Sequence, residues 1–458
     1  MINVFTPGMR IPKPPYPVRF PTVGSCCDPP FTYREELLQF IWEQGLFQQE
    51  ELRTVDGRLV EVVRAGRRQF NSGPDLLDAL VRIGDQLWAG TVEVHVRASE
   101  WVAHGHHTDP AYDNVVLHVV WVHDAEVRTK GGVHPPVVVL QGRVDQGRMV
   151  AFEELLRRKA WVSCAGQVEG VLPTVIDRAL EQALQHRLDR KVGEVLELLR
   201  KLGNDPLSAL HHLLLRALGG KVNAEPFDML AHALPIRMLL KVRDDAVRTE
   251  ALLFGQAGLL QGDMADEHPR LLQREHAHLA RTHGLLPVPL AAWKFGRLRP
   301  AAFPTLRIAQ YARLIMRQGD DLMRLLECDD LSVCRSLLEV EAGPYWDMRY
   351  RFDRPSPMSV KRLGDDAVDH VLINAVIPLR MALGRAHGRS RLVEGGLGLL
   401  GQLPAERNVI LRNWSRLGVH ALNAARSQAL IEHTLHSCAH RQCLTCAIGQ
   451  DLLQRTSS

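Results

Sequence analysis

A change of hydrophobic period near residue 150 limits this chain more than any other feature. Before it, apolar residues come in short β-branched runs; after it, leucine, alanine and arginine recur at helical spacing. One stretch precedes the runs. YREELLQFIWEQGL, from Tyr33 to Leu46, sets Leu37, Leu38, Ile41 and Trp42 on one stripe and closes on Gly45, the pattern of a helix with its stop signal. Strand-like runs follow at about 59–64, 78–83, 88–96, 115–122 and 135–141, separated by glycine, proline, aspartate or asparagine. The predicted order is helix, three strands, an irregular histidine-rich link and at least one further strand. Beyond it, VIDRALEQALQHRLDRKVGEVLELLRKLG runs helically to Gly203. Turn signals at Gly219-Gly220, Gly262, Pro355 and Pro357 punctuate the rest without a repeat period. The expected fold class is α+β, a small mixed sheet with a flanking helix followed by a large mostly α-helical region. Its parts are a proline-rich arm over 1–30, a sheet domain over 31–150, a helical region over 151–430 and a cysteine-containing segment over 431–458.

A chain of 458 residues exceeds what one core usually organises, so two or three units are expected. Its 46% hydrophobic and 24% charged residues are ordinary for a globular protein. No segment approaches the roughly 18 uninterrupted apolar residues of a membrane span, and Met1 to Pro30 lacks the features of a secretory signal. The cysteines at 26, 27, 164, 328, 334, 438, 443 and 446 do not form a secreted disulfide framework. These features predict a cytoplasmic protein, away from the membrane, with reduced or metal-bound thiols. A net charge of +4, from 56 basic and 52 acidic residues, is too balanced to argue for nucleic acid by itself, so binding DNA or RNA needs a local patch. The clusters Arg297, Arg299, Arg307 and Arg349, Arg351, Arg354 read more simply as solvated faces.

The chemistry-bearing residues concentrate between Asn71 and His118. Pro74-Asp75 stands at the mouth of one strand and Glu93-Val94-His95 lies within the next, where alternation puts Glu93 and His95 on one face and Val92 and Val94 on the other. Two carboxylates converging on a point suit a hard cation, Mg²⁺ or Mn²⁺. With the helix, three strands and further strand, these residue types resemble the PD-(D/E)xK nuclease superfamily, which carries Asp at the start of its second strand and Glu-x-Lys on its third. The resemblance implies Asp75 and Glu93 as metal ligands and a nucleic acid substrate. His95 stands where that superfamily has lysine, and can orient or deprotonate water or act as a ligand. Glu36, beside Glu35 on the first helix, resembles the auxiliary acid of some of these nucleases. On the blander reading, Asp75 caps a turn and Glu93 and His95 face solvent.

Two further clusters invite metal. EWVAHGHHTDPAYDNVVLHVVWVHD adds His104, His106, His107 and His118; a zinc hydrolase would use His104, His106 and His118, although the spacing is not that of a helical HExxH. These histidines otherwise line the same pocket as Asp75 and Glu93, or satisfy buried hydrogen bonds. HTLHSCAHRQCLTCAIG carries Cys438, Cys443 and Cys446 with His436 and His440 close by. With His440 the cysteines make a four-ligand Zn²⁺ site, whereas a cysteine from elsewhere, such as Cys164, suits an iron-sulfur cluster. Some PD-(D/E)xK nucleases close their domain with such a cluster. The plainer reading is a set of reduced thiols or a redox pair.

Across the chain, FNSGPDLLDALVRI, GTVEVHV, HGHHTDPAYDNVVLHVVW, EALLFGQAGLL, WKFGRLRPAAFPTLRIAQ, LPAERN and CLTCAIG resemble a bacterial family known as domain-of-unknown-function family 2851, from about Tyr33 to Gly449. That resemblance implies no activity. FGQAGLL reads as a close helix approach rather than a phosphate loop, and WKFGRLRPAAFP as a staple between helices rather than a nucleic acid clamp. The candidate functions are thus a metal-dependent nuclease, a non-catalytic binding or scaffold protein, and a zinc hydrolase.

Overall fold

The computed structural model describes residues 32–69 and 73–455; the arm read over 1–30 lies outside the described residues. The chain divides into two units, one made of residues up to Ala179 together with those from His433 onward, the other of Leu180–Glu432.

In the first unit, α1 (Glu35–Glu43) buries Leu37, Leu38, Phe40, Ile41 and Trp42 and ends where Gly45, at φ 64, donates its N–H to the Trp42 carbonyl. The sheet runs β1 (Val60–Arg64), β3 (Leu76–Ile83), β4 (Gln86–Arg97), β5 (Val115–Val122) and β6 (Val137–Val139), with β2 (Arg67–Arg68) also paired to β3. The first three pairings are antiparallel, and β4–β5 and β5–β6 are parallel. A two-residue turn with Gly84 at φ 58 joins β3 to β4. The link from β4 to β5 contains one helical turn, α2 (Glu100–Ala103), and a 3₁₀ turn at Pro110–Tyr112.

VVLHVVWV of β5 is buried through its first seven positions, as a strand covered on both faces must be. On the α1 face, Val92, Val94, Leu117, Val119 and Trp121 join one core with Leu38 and Trp42. The opposite face carries Glu93, His95 and His118 beneath the link. β6 is shorter than the run read at 135–141, since Pro135 and Pro136 offer no N–H to the ladder. After α3 (Gln146–Arg157) and a series of turns, residues 433–455 return to this unit. Leu444 and Leu453 enter its core, and Arg441 and Arg455 donate to the carbonyls of Leu156 and Gly170.

The long helix α4 (Pro173–Lys201) leads into the second unit, whose core includes Phe227, Phe254, Tyr311 and Trp346. Its next helix, α5 (Pro206–Ala233), is kinked where Gly220 takes φ 57 and Pro226 interrupts the ladder. The indole of Trp293 in WKFG donates to the Ala257 carbonyl at 2.6 Å and meets Phe227 edge-on, so this motif staples helices. In FGQAGLL, a Cβ at Gly255 would strike the His276 ring. Asp365–Ala386 is long and apolar enough to cross a membrane by length and composition, yet 78% of its apolar window is buried inside the protein, as in a core helix.

Candidate functional site

Asp75 and Glu93 meet because Leu76 pairs with Val92 across the β3–β4 ladder. Glu93 Oε2 accepts the Asp75 N–H at 3.0 Å, and Asp75 Oδ2 accepts the Val94 N–H at 3.0 Å, so each carboxylate is pinned by the other strand's backbone. The Gln39 side chain on α1 also bonds Asp75. Burial and the Glu93 charge push the Asp75 carboxyl up to about 7, against those hydrogen bonds. Glu35 is pushed up to about 8 by burial and then by Asp75, Glu100 and Glu93. Of the two neighbouring helix acids, Glu35 therefore stands in the field of the site. Glu36 is exposed, and its carbonyl accepts from Arg68 at 3.1 Å. Arg68, set by β2 opposite Leu76, is a largely buried cation; desolvation lowers its pKa while Glu43, Asp75 and Glu36 hold the charge in place.

The imidazoles close over Glu93, itself 4% exposed. His95 lies two residues along β4 with its Nδ1 2.9 Å from His118 Nε2. Its Nε2 is 3.2 Å from His104 Nδ1 and 3.5 Å from Glu93 Oε1. His106 Nε2 is 3.0 Å from Glu93 Oε1, but the ring is not turned to bond it, and the nitrogen is buried with no hydrogen bond. His95, His104 and His106 each offer a ligand atom within 4.8 Å of the others. His118 is placed behind His95 rather than among these three, because β5 pairs it directly with Glu93 deep in the sheet. Burial, reinforced by neighbouring imidazoles, pushes His95 down to about 2 and His118 to about 3, so both rings are neutral. Tyr112 stacks on His106 at 3.8 Å; burial, Glu93 and Asp75 push its hydroxyl up to about 12. His107 is exposed.

The model of a family described as a protein of unknown function, DUF2851, matches residues 35–409. The chain belongs to the DUF2851 family. The DUF2851 match takes in α1, both carboxylates and all the imidazoles, but stops short of Cys438, Cys443 and Cys446. Neither the curated proteins nor the solved structures gave a match to the chain.

Outside the DUF2851 match, the returning segment brings its three cysteines to Cys164, within reach of one another's charge. Burial raises all four thiols, Cys164 to about 12 and Cys446 to about 11; mutual repulsion adds to the rise at Cys164, Cys438 and Cys446. The backbone amides of Ile448 and Gly449 and the Nε2 of His433, 3.5 Å away, face Cys446. Ser163 bonds Cys443. His440 is exposed, so the imidazole beside these thiols is that of His433.

Sequence reasoning named Glu35 only as the neighbour of Glu36 and passed over Gln39, Arg68, Tyr112 and His433. Gln39 lies one helical turn after Glu35, and Tyr112 is six residues past His106 in the same link; these spacings were the available signals. Nothing in sequence ties Arg68 to Asp75.

Proposed function

We propose that this protein is a divalent-cation-dependent phosphodiesterase acting on nucleic acid, a nuclease-like enzyme with Asp75 and Glu93 as its acidic pair and Mg²⁺ or Mn²⁺ as cation. The observation that carries this reading is the pinned meeting of the two carboxylates. Two buried acids on adjacent strands repel unless protonated or bridged by a cation, and burial, with the Glu93 charge adding to it, pushes the Asp75 carboxyl up to about 7. The element order supports it too: helix, antiparallel β1–β3–β4, a link, then β5 parallel to β4, with Asp75 before β3 and Glu93 on β4. That is the arrangement for which the sequence resembles PD-(D/E)xK nucleases.

A cation held by Asp75 and Glu93 supplies Lewis acidity toward a phosphoryl oxygen and lowers the pKa of water. The chain's own groups have separate tasks. Gln39 and the Val94 N–H orient Asp75. Glu35, poised near neutrality, exchanges a proton at the mouth of the site. Arg68 supplies fixed positive charge from β2, in a superfamily arrangement whose lysine is replaced here by His95. The same reading gives Cys164, Cys438, Cys443 and Cys446 a structural metal, zinc or an iron-sulfur cluster. Iron and sulfide content with an absorption spectrum tests that part.

The function is tested by incubating the protein with single- and double-stranded DNA and RNA in Mg²⁺ or Mn²⁺. Asp75→Asn is expected to lower cleavage by about 100-fold or more while leaving the fold intact by circular dichroism. Equal cleavage by Asp75→Asn and wild type would remove the assignment.

A further inference from the structure

We infer that Glu93 Oε1, His95 Nε2, His104 Nδ1 and His106 Nε2 form a binding site for one transition-metal ion of the zinc class. The inference rests on the preceding reading for the place of the site, not for the reaction.

The donor chemistry comes first. Three imidazoles and one carboxylate suit zinc, cobalt, iron or manganese, whereas magnesium takes oxygen ligands and retains waters. The spacing agrees. A tetrahedral ion with metal–nitrogen bonds of about 2.05 Å sets its ligand atoms about 3.3 Å apart. Three of the six edges are 3.2 Å from His95 to His104, 3.5 Å from His95 to Glu93 and 3.0 Å from His106 to Glu93, and the three imidazole nitrogens all lie within 4.8 Å of one another.

Hydrogen bonding alone does not account for this convergence. A neutral ring has one N–H. His95 can give that of Nδ1 to His118 and accept at Nε2 from His104, which satisfies the facing nitrogens of these three rings. His106 Nε2 is then left buried against Glu93 without a bond, a costly state for a polar atom. A cation at the common point satisfies His106 and Glu93 together.

The surroundings fix the ligands. His118 at 2.9 Å holds the His95 tautomer that keeps Nε2 free as a donor to metal. Tyr112 stacked at 3.8 Å fixes the plane of His106. Gly105 at φ 81 lets the turn between His104 and His106 send both rings toward β4. Glu93 divides its carboxylate, one oxygen toward the imidazoles and the other toward the Asp75 amide, and so joins this site to the acidic pair.

Chelator-stripped full-length protein is titrated with cobalt(II) in excess magnesium. Four-coordinate cobalt is read by its visible bands, and binding at the cysteines is separated by its thiolate charge-transfer absorption. One equivalent without thiolate character is expected. His106→Ala should abolish it, and His104→Ala should weaken it by about 10- to 100-fold. Since His104 is exposed, its truncation leaves the core in place. Unchanged cobalt affinity in both variants, or displacement of this equivalent by magnesium, overturns the site. Asp75→Asn separates the two readings. If it binds cobalt and still cleaves like wild type, the phosphodiesterase falls and the metal site stands. If wild type cleaves through Asp75 but takes up no such cobalt, the metal site falls and the phosphodiesterase stands.

Discussion

Glu35 turns its surroundings into a measurable stability signature. Its carboxyl is raised from 4.5 to about 8, with burial the largest cause, so between those values the folded protein holds a proton that the unfolded chain has released. Its contribution is present in full below pH about 4.5 and is lost as pH climbs toward about 8. In chelator-treated protein, Glu35→Gln is therefore expected to melt above wild type at pH 8 to 9, the gap closing as pH falls toward 4.5, as followed by circular dichroism. A gap that stays constant with pH would show that the Glu35 carboxyl is not raised in the folded protein. Glu35 and Glu36 are indistinguishable as a charged pair in a first turn, and only the seating of α1 on the sheet separates them. Glu93 and His95 were legible as face-mates because strand alternation is strict. His104 and His106 were legible only as a cluster, since an irregular link has no period from which to read direction.

Among the elements, the β4–β5 pair does most to define the site, because it sets Glu93 beside His118. Gly90 makes its start possible. A Cβ there would lie 2.5 Å from Val116 Cγ1 and 2.6 Å from the Asn114 carbonyl, which accepts from both the backbone N–H and the hydroxyl of Thr91. Gly90→Ala is expected to destabilise the first unit by about 1–3 kcal/mol, measured by urea unfolding, and Gly90→Val by more. The strands themselves were readable as β-branched runs between turn residues. The exact beginning of β3 was not: LLDALVRI reads as strand only from residue 78, whereas pairing extends it back to Leu76, next to the Asp75 that the sequence already set at its mouth.

For the whole molecule, the change of period at 150 marks where strands give way to helices, while the first compact unit continues to Ala179 and resumes at His433. Periodicity reports local structure; a return across such a sequence distance is a matter of packing, which composition does not encode. Truncation after Glu432 removes Leu444 and Leu453 from the sheet core together with three of the four clustered cysteines. Losing two buried leucines costs on the order of 4–10 kcal/mol, comparable to a domain's whole stability. Limited proteolysis of the truncated chain should cut rapidly within 32–179, with Leu180–Glu432 digested no faster than before; equal resistance of 32–179 in both chains would show that the returning segment is dispensable.

That return also has a consequence for synthesis. The strands that position Asp75 and Glu93 leave the ribosome early, but the piece that completes their core is made only after the entire helical unit. At about 5–20 residues per second this wait is on the order of tens of seconds. The core beneath that sheet is thus finished last, and a chain that stops short within the helical unit never acquires a completed sheet unit.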